Sequence, residues 1–143
     1  MKILVINGPN LNFLGIREKN LYGAQTYADL EAFIREKAAA LNLEIELFQS
    51  NHEGAIVDKI QSAYGVMDGI VINPAAYTHT SVAILDALKA VSLPAAEVHL
   101  TDISKREPFR QVSLLTGVCA HSIIGKGTQA YEEAVKYLIS AAR

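Results

Sequence analysis

The chain has 143 residues, half of them hydrophobic, and a formal net charge of −2. We predict a single domain over residues 1–143, with a core that needs no disulfide or structural metal. A net charge of this sign and size does not indicate the basic surface that binds nucleic acid or an anionic membrane. One cysteine suits a reducing compartment, and no apolar run approaches the roughly 18 residues of a membrane span. We therefore expect a cytoplasmic protein that binds neither nucleic acid nor membrane.

Short apolar runs rich in β-branched residues predict five strands. These are Ile3–Ile6, Leu43–Phe48, Gly69–Ile72, Ala95–Leu100 and Ser122–Ile124. Continuous apolar runs of this length are typical of parallel strands that are buried on both faces.

Four segments of helical period alternate with these strands. The first begins at Thr26, which has the spacing of a capping box with Asp29, and Ser50 and Glu53 repeat that spacing before the second. The third ends before Pro94, and the fourth, the last helix of the chain, carries Tyr131 on its apolar face. The alternation predicts an α/β, three-layer, flavodoxin-like fold with helices on both faces of a five-stranded parallel sheet. The strand order 2-1-3-4-5 is expected from fold frequency alone.

Polar segments follow three of the predicted strands, at residues 7–12, 73–81 and 99–110. In an open parallel sheet, ligands bind beyond the carboxyl ends of the strands. Loops carrying Asn, His, Thr and Arg at one edge favour a site for a polyhydroxy, anionic small molecule. Turn and capping chemistry explains any single Asn or Thr equally well. The coincidence of three such loops favours a site.

The connection at residues 7–25 is long for a compact domain, as binding segments and lids often are. It lacks the glycine spacing of a dinucleotide or Walker loop. It carries Arg17 and Tyr22. A phenol is almost fully protonated at neutral pH, so Tyr22 is a base only where cations stabilise its anion. Arg17 and Arg106 are the candidates.

His99 follows Glu97 by two residues, which places both side chains on the same face of a strand. A carboxylate partner fixes the tautomer of an imidazole and makes it a useful acid. A core histidine satisfied by that carboxylate explains the pattern equally well, and His79 could simply begin a helix. His79, His99 and Cys119 lack any recognised zinc-ligand spacing, so no metal site is predicted.

Six blocks of the sequence resemble the type II dehydroquinases, in family order and with family spacing. They are NGPNLN, YG, QSNHEG, NPAAYTHTS, EVHL and REPFR, beginning at Asn7, Tyr22, Gln49, Asn73, Glu97 and Arg106. The resemblance implies a flavodoxin-like fold, no cofactor, and a homododecamer built from four trimers. It also implies a hydro-lyase that removes water from 3-dehydroquinate by anti elimination through an enolate. That reaction serves the shikimate pathway of aromatic amino-acid and chorismate biosynthesis, and also quinate breakdown.

The resemblance also implies roles for individual residues. Tyr22 matches the proton acceptor, and His99 matches the acid that protonates the departing hydroxyl. Arg17 matches the lid arginine that favours the charged base. Asn10 matches the residue that positions a water against the enolate oxygen, and Glu97 matches the carboxylate that orients the acid.

The substrate contacts expected from the matched blocks are Asn73, His79, Asp86, Leu100, Thr101, Arg106 and Arg110. Leu100 and Thr101 match backbone amides that hold the substrate carboxylate, and Asp86 matches a residue lent by a neighbouring subunit. There are departures, because the family usually has Gly at Ala75 and Ser-Asn at Thr101-Asp102. Asp102 adds negative charge that would weaken substrate binding if it pointed inward.

A non-catalytic flavodoxin-like domain that binds a small molecule is the alternative. A phosphoacceptor receiver would need clustered acidic residues after the first strand, where this chain has Asn7 and Asn10. A Schiff-base dehydratase needs an eight-stranded barrel, for which 143 residues are too few.

Overall fold

The computed structural model describes residues 1–142 and contains one five-stranded sheet. The strands are β1 (Lys2–Asn7), β2 (Glu44–Gln49), β3 (Gly69–Asn73), β4 (Ala95–His99) and β5 (His121–Ile124). All neighbouring strands are parallel, and their order is β2-β1-β3-β4-β5. The predicted flavodoxin-like strand order is therefore confirmed.

The helices cover both faces of this sheet. They are α1 (Lys19–Tyr22), α2 (Tyr27–Ala40), α3 (Glu53–Ser62), α4 (Val82–Val91) and α5 (Gln129–Ala141). Helices α2 and α5 pack on one face, and α3 and α4 pack on the other. The predicted three-layer arrangement is thus confirmed, whereas α1 is an addition that lies inside the predicted lid segment. Within residues 1–142, no helix is long and apolar enough to cross a membrane.

Strand β1 shows how the sequence divides the core between the two faces. Ile3 and Val5 pack in the cluster with α2 and α5, whereas Leu4 and Ile6 pack in the cluster with α3 and α4. Side chains alternate between the faces of a strand, so a continuous apolar run fits a strand covered on both sides. The same prediction is wrong for β2, which is partly exposed along its length because it lies at the edge of the sheet.

The two predicted capping boxes have different outcomes. At α2, Thr26 Oγ1 accepts from the Asp29 amide at 3.1 Å and Asp29 Oδ2 accepts from the Thr26 amide at 3.0 Å, which confirms the first. The second is wrong, because α3 begins at Glu53 itself and its N-cap residue is His52. Ser50 Oγ instead accepts from the His52 amide at 3.0 Å, which orders the turn before the helix.

Strands β1 and β3 are neighbours, and Asn7 pairs in register with Asn73 at their carboxyl ends. The connections leave these strands toward opposite faces of the sheet, which opens a crevice there. The Gly8 amide donates to Asn73 O at 2.8 Å. A Cβ atom on Gly8 would lie 2.5 Å from Pro74 O, so this close approach of two loops requires glycine.

Candidate active site

A pocket of about 740 Å³, counting space open to solvent, lies beyond the carboxyl ends of β1, β3 and β4. The predicted site residues that line it are Asn10, Arg17, Tyr22, Asn73, His79, His99, Leu100, Thr101, Arg106 and Arg110. The apolar part of the lining, which includes Leu11, Leu14 and Ile103, was not predicted from the sequence.

Tyr22 is the last residue of α1, and Gly23 ends that helix with a φ of 76°. Arg106 Nη1 donates to the Tyr22 hydroxyl oxygen at 3.2 Å. The Arg17 Cζ atom lies 5.1 Å from the centroid of the Tyr22 ring. The hydrogen bond to Tyr22 raises the pKa of Arg106 above its ordinary value. Both guanidinium groups therefore lie beside Tyr22, and Arg106 is the one that contacts the hydroxyl oxygen.

Arg17 has a partner that the sequence analysis missed. Its guanidinium pairs with the carboxylate of the adjacent Glu18, and this contact holds the pKa of Glu18 below its ordinary value. Glu18 has a φ of 39°, in the left-handed region that non-glycine residues seldom adopt. Arg17 therefore lies over the ring of Tyr22 while its charge is shared with an exposed carboxylate.

His99 ends β4, and its Nε2 atom lies 2.6 Å from Glu97 Oε1. Glu97 is fully buried and also accepts hydrogen bonds from Thr78 and Ser113. Burial raises the pKa of Glu97, but the hydrogen bonds from His99, Thr78 and Ser113 outweigh it, so the pKa lies below its ordinary value. An ionised Glu97 can only accept, so Nε2 of His99 carries the proton of this hydrogen bond and Nδ1 is the ring nitrogen that Glu97 does not contact.

Two backbone amides follow His99 at the edge of the pocket. Within residues 1–142, the N–H groups of Leu100 and Thr101 donate to no protein acceptor. Such free amides suit a carboxylate ligand. Asp102 does not enter the pocket: its Oδ1 accepts from the Ser104 amide at 3.0 Å and caps the turn Ile103–Lys105. The extra charge at this position is therefore held on its own loop.

Asn73 is held by a buried network that the sequence analysis did not predict. Its Nδ2 atom donates to the Tyr131 hydroxyl at 3.0 Å, and that hydroxyl donates to Asn7 Oδ1 at 2.6 Å. Tyr131 was assigned only to the apolar face of the last helix. A buried tyrosine hydroxyl nearly always has a partner, so a tyrosine on the buried face of a helix signals a polar contact without identifying its partners.

His79 and Arg110 reach the pocket from two different loops. His79 Nδ1 lies 2.7 Å from Val112 O, which leaves Nε2 for a ligand. Arg110 Nε is buried and makes no hydrogen bond within residues 1–142, although it lies 3.0 Å from Glu107 Oε2 with unsuitable geometry. Both residues therefore retain polar atoms that can bind a substrate hydroxyl.

Asp86 does not line the pocket of its own chain and is exposed on α4.

Among residues 1–142, no three His, Cys, Asp or Glu side chains are grouped so that they could hold a metal ion. The sulfur of Cys119 is buried, and burial raises its pKa to about 12.

The family model described as class II dehydroquinase matches residues 1–139. The chain belongs to this family. A 3-dehydroquinate dehydratase of Sulfurimonas denitrificans is 53% identical over 97% of this chain and 87% of the relative. One of Lachnospira eligens is 51% identical over 99% and 98% of the two chains. The crystal structure of type II dehydroquinase from Butyrivibrio crossotus is similar, with a TM-score of 0.95 and 55% identity over 97% of each chain.

One departure from the pattern of the class II dehydroquinases lies at Ala75, beside the pocket. Ala75, where the resemblance led us to expect Gly, has a φ of 51°, in the left-handed region that favours glycine. Its amide donates to Asn73 Oδ1 at 3.2 Å. The chain thus keeps the left-handed turn beside Asn73 in spite of the added methyl group.

Proposed function

We propose that this chain is a type II 3-dehydroquinate dehydratase, a hydro-lyase that converts 3-dehydroquinate to 3-dehydroshikimate and water. The observation that carries the proposal is the composition of one pocket. It contains a tyrosine contacted by two arginines, a histidine bound to a buried carboxylate, and two free backbone amides. These groups supply a base, an acid and a carboxylate cradle to one substrate.

The first step is proton removal by Tyr22. The phenolate oxygen takes a proton from the carbon next to the ketone, and the C–H electron pair moves onto the ketone oxygen as an enolate. Arg106 stabilises the phenolate through its hydrogen bond, and Arg17 stabilises it from above the ring. Asn10 lines the same pocket and is assigned to hold a water against the enolate oxygen.

The second step is loss of the hydroxyl group. The enolate electrons re-form the ketone, the adjacent carbon–carbon double bond forms, and the C–O bond breaks. His99 gives its Nδ1 proton to the departing oxygen, so the products are a conjugated enone and water. Glu97 accepts from Nε2 throughout and holds the imidazole in this orientation. Proton exchange with solvent then resets Tyr22 and His99.

The other predicted residues are assigned to substrate recognition. The amides of Leu100 and Thr101 hold the substrate carboxylate, and Asn73, His79 and Arg110 contact its hydroxyl groups. The orphan Nε of Arg110 and the unbonded amides support these assignments, because a bound substrate supplies the acceptors that the protein lacks.

We further propose that the enzyme acts in the cytoplasm, in aromatic biosynthesis, as a dodecamer of four trimers. Asp86 of the partner subunit would then complete each pocket. The exposure of Asp86 and Val82 on α4 supports this assembly, since Val82 is apolar and 56% exposed in the single chain. Sedimentation analysis of the purified protein tests the assembly, and a monomer with full activity would contradict it.

The decisive experiment follows the ultraviolet absorbance of the enone when purified protein is mixed with 3-dehydroquinate and EDTA. We expect absorbance to rise in proportion to enzyme concentration, with the same rate with and without the chelator. Tyr22→Phe is the matched control, since it removes only the hydroxyl. A folded protein that binds 3-dehydroquinate without turnover would instead be the non-catalytic binding domain.

A further inference from the structure

The short segment Val112–Leu114 touches the supports of both histidines in the pocket. Val112 O lies 2.7 Å from His79 Nδ1, and the Leu114 amide donates to Thr78 O at 2.8 Å. Between them, Ser113 Oγ lies 2.7 Å from one oxygen of Glu97 and 2.9 Å from the other. The segment follows the last arginine of the pocket and was assigned no role from sequence.

Glu97 is the point where these contacts converge. Its Oε1 atom accepts from His99 Nε2 and from the hydroxyl of Thr78, and both its oxygens lie within reach of Ser113. The Ser113 oxygen also accepts from the Leu115 amide at 3.1 Å and lies 2.8 Å from the Thr78 hydroxyl oxygen, a contact in which either hydroxyl can donate. His99, Thr78 and Ser113 thus offer three donors around one carboxylate, an arrangement that favours the ionised form of Glu97.

We infer that Ser113 and Thr78 are positioning residues for the reaction, which keep Glu97 ionised and oriented so that His99 presents Nδ1 to the substrate. The inference rests on the proposed function. Neither hydroxyl lines the pocket, so each acts through Glu97 and not through the substrate. The two residues come from different segments, Thr78 from the turn Ala75–His79 and Ser113 from the segment before β5, and their hydroxyl oxygens lie 2.8 Å apart.

Loss of either donor has a defined consequence. With fewer hydrogen bonds, burial dominates at Glu97 and its pKa rises, since burial is already the largest single influence on it. The titratable groups that face Glu97 are His99 and Cys119, and Cys119 stays neutral because its pKa is about 12. A protonated Glu97 no longer holds the Nε2 proton of His99, and the imidazole loses its fixed tautomer.

The test compares the pH dependence of kcat for Ser113→Ala with that of the wild type. We expect kcat to fall about tenfold with KM within about twofold. We also expect the acidic limb of the kcat profile to move upward by about one pH unit, the effect of losing one hydrogen bond to a charged group. An unchanged profile would overturn the inference.

Thr78 offers a matched pair of substitutions in a fully buried position. Thr78→Val keeps the shape and removes the hydroxyl, whereas Thr78→Ser keeps the hydroxyl and removes a methyl group. We expect Thr78→Val to shift the acidic limb and Thr78→Ser to restore it. The reverse result, with Thr78→Ser the more damaging for kcat, would show that Thr78 acts only by packing.

A double-mutant cycle shows whether Ser113 works through Glu97. In a Glu97→Gln background, we expect Ser113→Ala to change kcat by less than about twofold, because the carboxylate on which it acts is gone. Equal losses in both backgrounds would refute the inference.

Ser81→Ala is the control for loss of a buried hydroxyl, since Ser81 caps α4 and does not contact Glu97. We expect it to lower stability and to leave the pH profile unchanged. The wild-type rate distinguishes a failure of the proposed function from a failure of the inference about Ser113 and Thr78. No turnover of 3-dehydroquinate by the wild type would defeat the proposed function, whereas turnover with an unshifted Ser113→Ala profile would defeat only this inference.

Discussion

At the scale of single residues, Tyr22, the proposed base, has its closest cationic contact with Arg106. The Arg106 side chain is 14% exposed, and its Nη1 atom touches the Tyr22 oxygen, so little water screens the attraction between guanidinium and phenolate. Arg17 lies over the ring face, and Glu18 shares its charge. Arg17 and Arg106, the two cations proposed from the sequence, would therefore stabilise a negative charge on the Tyr22 oxygen unequally, with Arg106 the closer of the two.

Tyr22→Phe removes the base and leaves the ring in place. We expect kcat to fall by about 10²–10⁴-fold, the usual contribution of a positioned general base. KM is expected to stay close to the wild-type value, since the carboxylate cradle and the hydroxyl contacts are untouched. Steady-state enone formation measures both constants, and near-normal turnover would remove Tyr22 from its role.

Arg106→Ala tests the cation that touches the base. We expect kcat to fall at least about tenfold, because one hydrogen bond to a charged group is lost. Lys105→Ala is the matched control, since its side chain is 81% exposed and its nearest acidic atom, on Asp102, is 3.8 Å away. Equal losses in the two variants would mean that the effect is only a change in net charge.

At the scale of elements, α5 reaches the site through Tyr131. The sequence assigned this helix to the core by its apolar period, and the buried ring of Tyr131 confirms that. Periodicity describes which face is buried but not which polar atoms meet inside, so the link from Tyr131 to Asn7 and Asn73 could not be predicted. The strands and helices could be predicted from hydrophobic periodicity. The start of α3 could not, because the spacing of Ser50 and Glu53 fits more than one starting residue.

Tyr131→Phe removes the hydroxyl that joins α5 to the ends of β1 and β3. We expect a loss of about 1–3 kcal/mol in the free energy of unfolding, because the amide groups of Asn7 and Asn73 are left buried without this partner. We also expect KM to rise more than kcat falls, since Asn73 is assigned to bind substrate. Tyr64→Phe is the control, because Tyr64 is 71% exposed. Equal effects of the two substitutions would contradict the network.

At the scale of the whole molecule, the sequence was sufficient for the architecture and for most of the pocket. Alternating elements restrict an α/β chain to few topologies, and the carboxyl ends of parallel strands then meet at one edge. That geometry brought Asn10, Asn73 and His99 together as predicted. The supports of the site were missed because Ser113 and Tyr131 contact it through tertiary packing, which no local pattern encodes.

Two buried weak acids, Cys119 and Tyr131, make the stability of the fold depend on pH in the alkaline range. Burial raises the pKa of Cys119 from 9.0 to about 12, and it raises that of Tyr131 above its ordinary 10.0. At a pH between the ordinary pKa of each group and its raised pKa in the folded protein, the unfolded chain has lost a proton that the folded chain keeps. Their contribution to stability is therefore complete below about pH 9 and is lost as pH rises.

We expect the free energy of unfolding to fall by about 1–2 kcal/mol between pH 8 and pH 10.5 through Cys119 alone. Urea denaturation at the two pH values measures the fall. Cys119→Ala removes this titration, so its fall should be smaller by that amount, whatever its stability at pH 8. Parallel falls in the wild type and the variant would show that the thiol does not take part.

The proposed base and the proposed acid are carried by different parts of the chain. Tyr22 and Arg17 lie on the segment between β1 and α2, whereas His99 ends a strand inside the sheet and is followed by the free amides of Leu100 and Thr101. For inhibitor design, a small anion on those amides would contact only one of these two parts. A bridging compound that also stacks on the Tyr22 ring would contact both and would leave only when both sets of contacts break, so slow dissociation is the property to select for.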